Sequence, residues 1–292
     1  MKKVVLITGA SSGIGEATAI RLKRAGFIVY AAARRMERMR HLVGLGINII
    51  NLDVTVAESR ENVIKTIITQ EGHLDILINN AGYGAYGAVE DVSLAEGKNQ
   101  FEVNVFGAIA LIKLALPIMR RQGSGRIINT SSIGGKIYQP MGAWYMGTKH
   151  ALEGMLDSLR TEVSQFGIDI VIIEPGCTRT EWPGIARKKL LAVSGQTAYA
   201  KTAQKAGAML SLFNQFGSDT SVIANVMEKA ARARRPKTRY VAGAGSTISL
   251  VGRKYLSDRT FDTLLAGTLT LCWQIYQHQQ NKATNDDQST AN

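Results

Sequence analysis

Tyr145 and Lys149 stand four residues apart in a stretch with helical character, and Ser132 precedes the tyrosine by thirteen residues. The unperturbed pKa of a phenol is about 10, so an isolated tyrosine is a poor acid or base near neutral pH. A cation one helical turn away lies on the same face and favours the phenolate. A serine hydroxyl from the end of another strand would hold a carbonyl oxygen against the phenol while a hydride arrives. The spacing therefore favours a proton shuttle, although Tyr-x-x-x-Lys by itself is common in ordinary amphipathic helices.

The N-terminal segment carries a motif suited to binding a diphosphate. Residues 4–7 form a short apolar run, typical of a buried parallel strand, and helical periodicity follows from about Gly15 to Ala25. The turn between them contains Gly9, Gly13 and Gly15. A strand, a glycine-rich turn and a helix start direct backbone N–H groups and the helix dipole at a phosphate, with glycines where side chains would block the approach. The pattern predicts dinucleotide binding in the first βαβ unit.

Strand-like runs alternate with helical stretches along the 292 residues, of which 45% are hydrophobic and only five are prolines. Right-handed crossovers between such strands give an α/β fold, a single-domain Rossmann-type doubly wound parallel sheet of about seven strands with helices on both faces. We expect one dinucleotide-binding domain over residues 1–280 and, from its polar composition, an unstructured tail over 281–292. The predicted strands are 4–7, 28–32, 47–52, 76–78, 126–130, 169–174 and 239–242.

Several motifs, taken in order and spacing, resemble those of the short-chain dehydrogenase/reductase family. They are Thr8-Gly9-x-x-x-Gly13-x-Gly15, Asn79-Asn80-Ala81-Gly82, Asn104, Ser132, Tyr145-x-x-x-Lys149 and Pro175-Gly176 followed by Thr180. The resemblance covers roughly residues 1–185. Residues 235–240 and 255–259 are similar to the C-terminal stretch of a subgroup that includes hydroxysteroid- and retinol-dehydrogenase-like oxidoreductases. The resemblance to the family implies an oxidoreductase that interconverts a ketone or aldehyde and its alcohol by hydride transfer.

The resemblance also assigns roles to four catalytic residues. Tyr145 matches the general acid/base, and Lys149 matches the residue that binds the nicotinamide ribose hydroxyls and lowers the pKa of the phenol. Ser132 matches the hydroxyl that orients the carbonyl. Ser131 is its neighbour, but the spacing of thirteen residues to the tyrosine selects Ser132. Asn104 matches the residue that holds a water behind the lysine and completes a proton relay.

Cofactor preference is predicted from the end of the second strand. An acidic residue at this place hydrogen-bonds the adenosine ribose of NAD, whereas the 2′-phosphate of NADP requires a cation instead. Alignment on the family puts Ala33 at the position of the acid and Arg34 directly after it, and a guanidinium offers a fork of donors to a phosphate. NADP(H) is therefore the predicted cofactor.

The family pattern implies a wider set of cofactor contacts. Asp53 and Val54 resemble the pair that contacts the adenine, residues 79–82 the loop that backs the adenosine, and Thr180 a donor to the nicotinamide carboxamide. The complete predicted set is Gly9, Ser11, Ser12, Gly13, Ile14, Gly15, Arg34, Arg35, Asp53, Val54, Asn80, Ala81, Gly82, Tyr145, Lys149, Pro175, Gly176, Thr178 and Thr180.

The residues expected around the carbonyl are apolar and aromatic, which suits a lipophilic ketone or alcohol. A variable substrate lid is expected at about residues 181–218, where helical periodicity is interrupted by Gly and Ser. The predicted lining residues are Tyr83, Tyr86, Ile133, Tyr138, Met141, Trp144, Cys177 and Trp182.

Charge and composition exclude several other classes. The formal net charge is +12, with basic clusters at 187–189 and 232–239, but no nucleic-acid-binding module or aromatic array accompanies them. Solvated surfaces are the favoured explanation, with attraction of an anionic cofactor, substrate or membrane surface as the alternative. Cys177, Cys272 and the scattered histidines follow no disulfide or metal-site spacing, so no metal is expected and a reducing cytoplasm is the expected compartment.

No segment is expected to cross a membrane, because none of the apolar runs reaches about 18 residues. The nearest is 264–276, which is interrupted by threonines and a glycine and predicts a packed or interface helix rather than a membrane-surface anchor. The helices expected over 95–121 and 143–165 have more apolar surface than one sheet face covers. In the family such helices pair across a two-fold axis, so a homodimer or homotetramer is expected.

Two other functions share part of the pattern. Sugar-nucleotide epimerases and dehydratases also carry Tyr-x-x-x-Lys, but they typically have a shorter glycine-turn spacing and a larger C-terminal domain. A catalytically silent, dinucleotide-sensing regulator would keep the fold without the chemistry. The complete set of Asn104, Ser132, Tyr145 and Lys149 argues against this regulator, because binding alone does not require Ser132.

Overall fold

Seven parallel strands form one sheet in the computed structural model, which describes the backbone of residues 1–290 and the side chains of residues 1–282. The strands are β1 Val4–Thr8, β2 Ile28–Ala33, β3 Asn48–Asn51, β4 Ile76–Asn79, β5 Gly125–Thr130, β6 Ile168–Pro175 and β7 Arg239–Ala242. Their order across the sheet is β3-β2-β1-β4-β5-β6-β7. All seven strands predicted from the sequence are present, so the predicted doubly wound parallel sheet is confirmed.

The order of the strands locates the crevice in which a ligand can bind. β1 pairs with β2 on one side and with β4 on the other, so the chain changes direction across the sheet after β3. The loops that leave the carboxyl ends of β1 and β4 therefore run to opposite faces and open a crevice between them. Residues at these strand ends, including Thr8 and Asn79, are placed to line it.

Helices surround the sheet and connect its strands. They are α1 Gly13–Arg24, α2 Arg40–Val43, α3 Ala57–Glu71, α4 Leu94–Phe101, α5 Gly107–Gln122, α6 Ala143–Val163, α7 Trp182–Ser194, α8 Ala200–Phe216, α9 Thr220–Arg232, α10 Ser246–Tyr255 and α11 Asp258–Thr290. A π-helical turn, Glu102–Phe106, joins α4 to α5, and short 3₁₀ turns occupy Met36–Met39, Ile133–Gly135 and Ser164–Phe166.

Each face of the sheet is covered by its own set of helices. On one face Ile67 of α3, Leu111 of α5 and Leu152 of α6 pack against the side chains of β1, β4 and β5. On the other face Leu22 of α1 and Ile223 of α9 pack against the alternate residues of the same strands. Because both faces are buried, the strands consist of continuous apolar runs rather than alternating ones, which is why the sequence predicts them well.

Residues 94–122 form one continuous helical stretch that is more apolar than the run 264–276. The stretch of 29 residues has a mean hydropathy of 1.7 in its most apolar window and is long and apolar enough to cross a membrane, although 44% of that window is buried inside the protein. The expectation that no segment reaches this length is thus wrong for 94–122. Leu111, Ala115 and Met119 pack on the sheet, so burial in the core accounts for much of this apolar character.

The C-terminal helices form a separate layer next to the lid segment. α7 and α8 pack against each other and together span the stretch for which a lid is expected, and α11 packs against α8. Leu269 of the apolar run 264–276 is buried in a cluster with Leu190 and Leu210, as expected for a packed helix. The backbone of α11 is helical up to Thr290 over the stretch for which an unstructured tail is expected, and residues 291–292 lie outside the described part of the chain.

Candidate active site

The glycine-rich turn is held against the end of β4 by hydrogen bonds through Thr8. The hydroxyl oxygen of Thr8 accepts from the backbone N–H groups of Asn80 and Ala81, both at 3.0 Å. The side-chain amide of Asn80 donates in return to the carbonyl oxygen of Thr8 at 3.2 Å. The sequence motif 79–82 is therefore a brace for the turn that follows β1, and it fixes one wall of the crevice.

The glycines of the turn cannot be replaced without a clash. Gly9 has φ of +67°, and a Cβ added there would lie 2.8 Å from the Cα of Ala81. A Cβ on Gly15 would collide with the carbonyl oxygen of Gly9 and lie 2.6 Å from the side-chain nitrogen of Asn80. The side chain of Ser12, at the helix N-cap, makes no capping hydrogen bond, which leaves the first N–H groups of α1 available. This open cradle at a helix N-terminus fits the diphosphate of a dinucleotide.

The predicted adenosine end of the site lies beside the end of β2. Ala33 ends the strand, and the exposed guanidinium of Arg34 lies 3.9 Å from a carboxylate oxygen of Asp53. Arg35 donates to the hydroxyl of Ser11 at 3.2 Å. Burial opposes ionisation of Asp53, but hydrogen bonds from Thr55 and the charge of Arg34 outweigh it and lower the pKa of this carboxyl. The loop thus presents one arginine to solvent and ties the other to the glycine turn.

Ser132 and Tyr145 are brought together at the carboxyl end of β5 and the start of α6. The hydroxyl of Ser132 accepts from the backbone N–H of Gly134 at 3.0 Å, which fixes the side chain at the start of a 3₁₀ turn. Burial raises the pKa of Tyr145 to about 12, although a hydrogen bond with Ser132 lowers it. A phenol and a hydroxyl in this arrangement can both donate to one carbonyl oxygen.

The expected lowering of the phenol pKa by Lys149 is not seen. The ammonium nitrogen of Lys149 lies 5.8 Å from the centre of the Tyr145 ring and donates to the carbonyl oxygen of Thr130 at 2.8 Å. Burial also lowers the pKa of Lys149 to about 8, and the charge of Glu153 opposes this effect. Desolvation of the buried phenol therefore dominates the pKa of Tyr145, and stabilisation of its phenolate by Lys149 stays a prediction.

Two aromatic side chains enclose the ring of Tyr145. The ring centre of Trp182 lies 5.0 Å away and that of Tyr86 lies 5.9 Å away, and these two rings contact each other edge to face at 5.7 Å. The hydroxyl of Tyr86 accepts a hydrogen bond from the side-chain amide of Gln139 at 2.8 Å. The phenol of Tyr145 therefore sits in an apolar, aromatic environment that limits the access of water.

Asn104 reaches the site because the helix widens into a π turn around it. Its side-chain oxygen accepts from the backbone N–H of Tyr83 at 3.0 Å, and its amide donates to the carbonyl oxygen of Tyr83 at 2.9 Å and the hydroxyl of Thr148 at 3.1 Å. A Cβ on Gly82 would lie 3.1 Å from the Asn104 oxygen and 4.0 Å from the Lys149 nitrogen. The asparagine and the lysine thus face each other across a glycine, and π turns of this kind are frequent at functional sites.

The segment after β6 closes the remaining side of the crevice. Thr178 donates to the carbonyl oxygen of Gly176 at 3.1 Å, and the backbone N–H of Trp182 donates to the hydroxyl of Thr180 at 3.2 Å. A Cβ on Gly13 would lie 3.2 Å from the methyl carbon of Thr180, so this segment lies directly over the glycine turn. Thr180 is well placed for a cofactor, whereas the hydroxyl of Thr178 is turned to its own backbone.

The predicted substrate-pocket residues divide into two groups. Tyr86, Met141 and Trp182 pack in one cluster with Tyr145, and Cys177 lies beside Tyr86. The ring of Trp144, on α6, packs against α4, since a Cβ added to Gly97 of α4 would collide with it. Trp144 therefore joins α4 and α6 instead of lining the pocket. Three more of the predicted lining residues lie at other places in the fold. Tyr83 lies under the ammonium of Lys189, and Tyr138 packs on Phe261. Ile133 lies in the 3₁₀ turn after Ser132.

A cavity of about 610 Å³ lies between α8, α11 and the start of α6, and no motif in the sequence predicts it. Gln139, whose amide bonds Tyr86, is part of its wall. The apolar part of the wall consists of Pro140, Ala143, Leu265, Ala266 and Leu269. Lys205 and Asp262 lie at the polar part. Gln139 is thus the link between this cavity and Tyr86, whose ring packs on Tyr145.

Comparisons with known proteins agree with this geometry. The family profile described as short chain dehydrogenase matches residues 3–190. The chain is 33% identical over 273 residues to the uncharacterized oxidoreductase YusZ of Bacillus subtilis, covering 90% of this chain and 97% of that protein. The crystal structure of a short-chain dehydrogenase from Streptomyces avermitilis is 31% identical, with a TM-score of 0.76 over 95% of this chain and 98% of that one. The structure of ElxO with NADP bound is 27% identical, with a TM-score of 0.68 over 82% of this chain and 96% of that one.

The chain therefore belongs to the short-chain dehydrogenase/reductase family, whose members are built on this parallel sheet. It is an oxidoreductase of that family. The glycine cradle and the free N–H groups at the start of α1 fit a nicotinamide dinucleotide.

Proposed function

We propose that the protein is an NADP(H)-dependent oxidoreductase that interconverts a lipophilic ketone or aldehyde and its alcohol. One observation carries the proposal: the Tyr145 phenol, the Ser132 hydroxyl and the Lys149 ammonium converge beside the glycine turn, at the open end of the sheet. A dinucleotide-binding protein without chemistry has no need for a buried phenol that bonds a serine hydroxyl. The aromatic walls formed by Tyr86 and Trp182 favour a lipophilic substrate.

In the proposed reduction, the protein's residues manage the proton on the carbonyl oxygen. Ser132 and Tyr145 both donate hydrogen bonds to this oxygen and fix the orientation of the carbonyl. The hydride for the carbonyl carbon would come from NADPH held by the glycine cradle and Lys149. As negative charge develops on the oxygen, Tyr145 transfers its proton and becomes a phenolate. Because the pKa of Tyr145 is raised to about 12, the phenol keeps its proton at neutral pH and is ready for reduction.

Lys149 and Asn104 act on the charge that this transfer leaves behind. The ammonium of Lys149 lies on the same helix face as Tyr145 and stabilises the phenolate electrostatically. The same ammonium is placed to bind the hydroxyls of the nicotinamide ribose. Asn104 holds the loop that starts at Tyr83 and faces Lys149 across Gly82, so we place it behind the lysine in the proton relay.

The test is a panel of carbonyl compounds assayed with NADPH by the loss of its absorbance. We expect turnover with aliphatic and aromatic ketones or aldehydes, and kcat/KM that rises with chain length because the site walls are apolar. A panel of sugar nucleotides is the matched alternative, since it would detect epimerase or dehydratase activity. Turnover of sugar nucleotides and none of the carbonyls would overturn the proposal.

The preference for NADP(H) rests on Ala33 and Arg34. Arg34→Ala is expected to weaken NADPH binding about 10- to 100-fold, the equivalent of roughly 1.5 to 3 kcal/mol for hydrogen bonds to a charged group. Ala33→Asp is expected to improve NADH binding, because the new carboxylate can bond a ribose hydroxyl. Fluorescence titration of both cofactors checks this, with Arg40→Ala as the control for loss of an exposed arginine. Tighter binding of NADH than of NADPH by the unmodified protein would contradict the assignment.

We also propose that two copies pair through α5, α6 and the π turn. Phe106 and Met155 are 51% and 41% exposed on these elements, and such a pairing would cover both side chains. Light scattering is expected to give a dimer or tetramer of the 31.7 kDa chain, and Met155→Asp to shift it towards the monomer. Val43→Asp, at a valine that is 55% exposed elsewhere, is the control. A monomer at micromolar concentration would refute the pairing.

A further inference from the structure

Glu153 lies one helical turn beyond Lys149 on α6 and is only 2% exposed. Groups from separate elements hold both of its carboxylate oxygens. Oε1 accepts from the hydroxyl of Ser131 at 2.8 Å. Oε2 lies 2.7 Å from the ammonium nitrogen of Lys136 and 3.2 Å from Nε of Arg239. Three donors thus surround this buried carboxyl, and both of its oxygens have a partner.

A second buried carboxyl, Glu174, lies beside Glu153 at the end of β6. Nε of Arg239 is 3.2 Å from one of its oxygens, and Nη2 of Arg239 is 2.5 Å from a carboxylate oxygen of Asp157. Burial, together with the charge of Glu153, raises the pKa of Glu174 to about 7. Arg239 therefore lies between two buried carboxyls, Glu153 and Glu174, and Glu174 is the one whose pKa is raised.

The network links the loop that carries Ser132, the helix that carries Tyr145 and Lys149, and the strand that leads into the segment over the crevice. Ser131 and Lys136 flank Ser132 in the loop after β5, Glu153 shares α6 with Tyr145 and Lys149, and Glu174 directly precedes Pro175 in the segment that closes the crevice. Arg239 brings in β7, and it belongs to the segment 235–240, which the proposed chemistry leaves without a role. The charged groups that face Glu153 are Lys149 and Asp157 from α6, Lys136 from the loop, Glu174 from β6 and Arg239 from β7.

The charge of Glu153 also acts on Lys149. Burial lowers the pKa of Lys149 to about 8, and Glu153 is the charged group that opposes this lowering. Without the carboxylate, the lysine would lose its proton at lower pH. The ammonium would then be absent in part of the range in which it has to stabilise the phenolate of Tyr145.

We propose that Glu153 is a positioning residue for the reaction, which fixes the loop carrying Ser132 through Ser131 and Lys136 and keeps Lys149 charged. This inference rests on the proposed function in one respect, namely that Ser132 and Lys149 take part in the chemistry. It assigns Arg239 the role of holding the two buried carboxyls together. Glu153 itself does not touch the substrate.

The electrostatic part of the proposal is tested by titrating Lys149 directly. In protein labelled with ¹³Cε-lysine, the Lys149 resonance, assigned by its loss in Lys149→Arg, is followed against pH by NMR. Glu153→Gln is expected to move its midpoint to lower pH by about one unit, the low end for loss of a nearby opposite charge. The alkaline limb of kcat should move with it. Glu162→Gln, an exposed glutamate on the same helix, is the control and should move neither.

The anchoring part is tested by variants that keep the charge. Ser131→Ala removes one donor to Glu153 and is expected to lower kcat about five- to tenfold, the equivalent of one hydrogen bond, with the Lys149 midpoint unchanged. Glu153→Asp keeps the carboxyl group but shortens the side chain. In this variant the midpoint of the Lys149 titration should stay near that of the wild type while kcat falls. These two variants decide the matter if Glu153→Gln does not fold.

The proposal is overturned if Glu153→Gln leaves the Lys149 midpoint in place, or if Ser131→Ala and Glu153→Asp both keep wild-type kcat. The NMR titration needs neither substrate nor turnover. If every carbonyl fails while the Lys149 midpoint still shifts in Glu153→Gln, the proposed reaction falls and the electrostatic role of Glu153 stands.

Discussion

Tyr145→Phe is expected to lower turnover by 10²- to 10⁴-fold while leaving NADPH affinity close to that of the wild type. The range is that of a general acid removed from a proton transfer, because phenylalanine keeps the ring but cannot protonate the carbonyl oxygen. The ring would still pack between Tyr86 and Trp182, so the walls of the pocket should persist. Steady-state kinetics on an active carbonyl and fluorescence titration of NADPH measure the two effects separately.

Two further variants define what this result means. Tyr240→Phe makes the same chemical change on β7, away from the site, and is expected to leave turnover unchanged. Ser132→Ala is expected to cost about 10²-fold or more in kcat, by analogy with removal of one preorganised donor to a developing oxyanion. A Tyr145→Phe protein that keeps more than about a tenth of wild-type turnover is incompatible with general acid catalysis by this residue.

Lys149→Ala is expected to lose both turnover and cofactor affinity. The ammonium is buried beside Tyr145 and stabilises the phenolate in the proposed reaction, so we expect at least a 10²-fold loss in kcat. Loss of its hydrogen bonds to the ribose should weaken NADPH binding about 10- to 100-fold. Kinetics and fluorescence titration measure both effects.

Lys113→Ala, an exposed lysine on α5, is the matched control for Lys149→Ala and should change neither quantity. Wild-type NADPH affinity in Lys149→Ala would show that the ammonium does not hold the ribose. Lys149 would then serve only the phenol.

The strands and the glycine turn follow from local sequence, whereas the shape of the helix around Asn104 does not. All five residues of β1 are buried, so its apolar run marks it without ambiguity. Gly9 and Gly15 are needed because backbone and side-chain atoms approach them closely, and the spacing of the motif reflects this directly. The π turn Glu102–Phe106 depends instead on how one helix packs on α6 and on the loop at Tyr83, and local propensity contains no signal for it.

The pKa shifts of Tyr145 and Lys149 could not be predicted from the sequence either. Four-residue spacing places Lys149 on the same face as Tyr145, but it does not reveal how deeply either group is buried. Burial decides both shifts in pKa, upwards for the phenol and downwards for the ammonium. The direction of the Trp144 side chain was also not predictable from its place in the sequence. Trp144 directly precedes Tyr145, but its ring packs on α4 instead of the pocket.

The network around Glu153 has no local signature either. Its partners Ser131 and Arg239 are 22 and 86 residues away along the chain, and they meet only because β5, β6 and β7 are neighbours in the sheet. In the sequence, the segment around Arg239 is a basic cluster, the start of a predicted strand and a resemblance to a subgroup, and none of these predicts its contact with Glu153. The structure gives it a physical role, as a cation that holds two buried carboxyls together.

The most direct test of the account is the fate of the hydride. NADPH carrying deuterium at the transferable C4 position of the nicotinamide is mixed with the enzyme and an active carbonyl compound, and the alcohol is analysed by mass spectrometry. We expect one deuterium on the former carbonyl carbon of the product. In Tyr145→Phe, the amount of deuterated alcohol should fall by the same factor as turnover. An alcohol formed without deuterium, or no oxidation of NADPH with any member of the carbonyl panel, would contradict hydride transfer at this site.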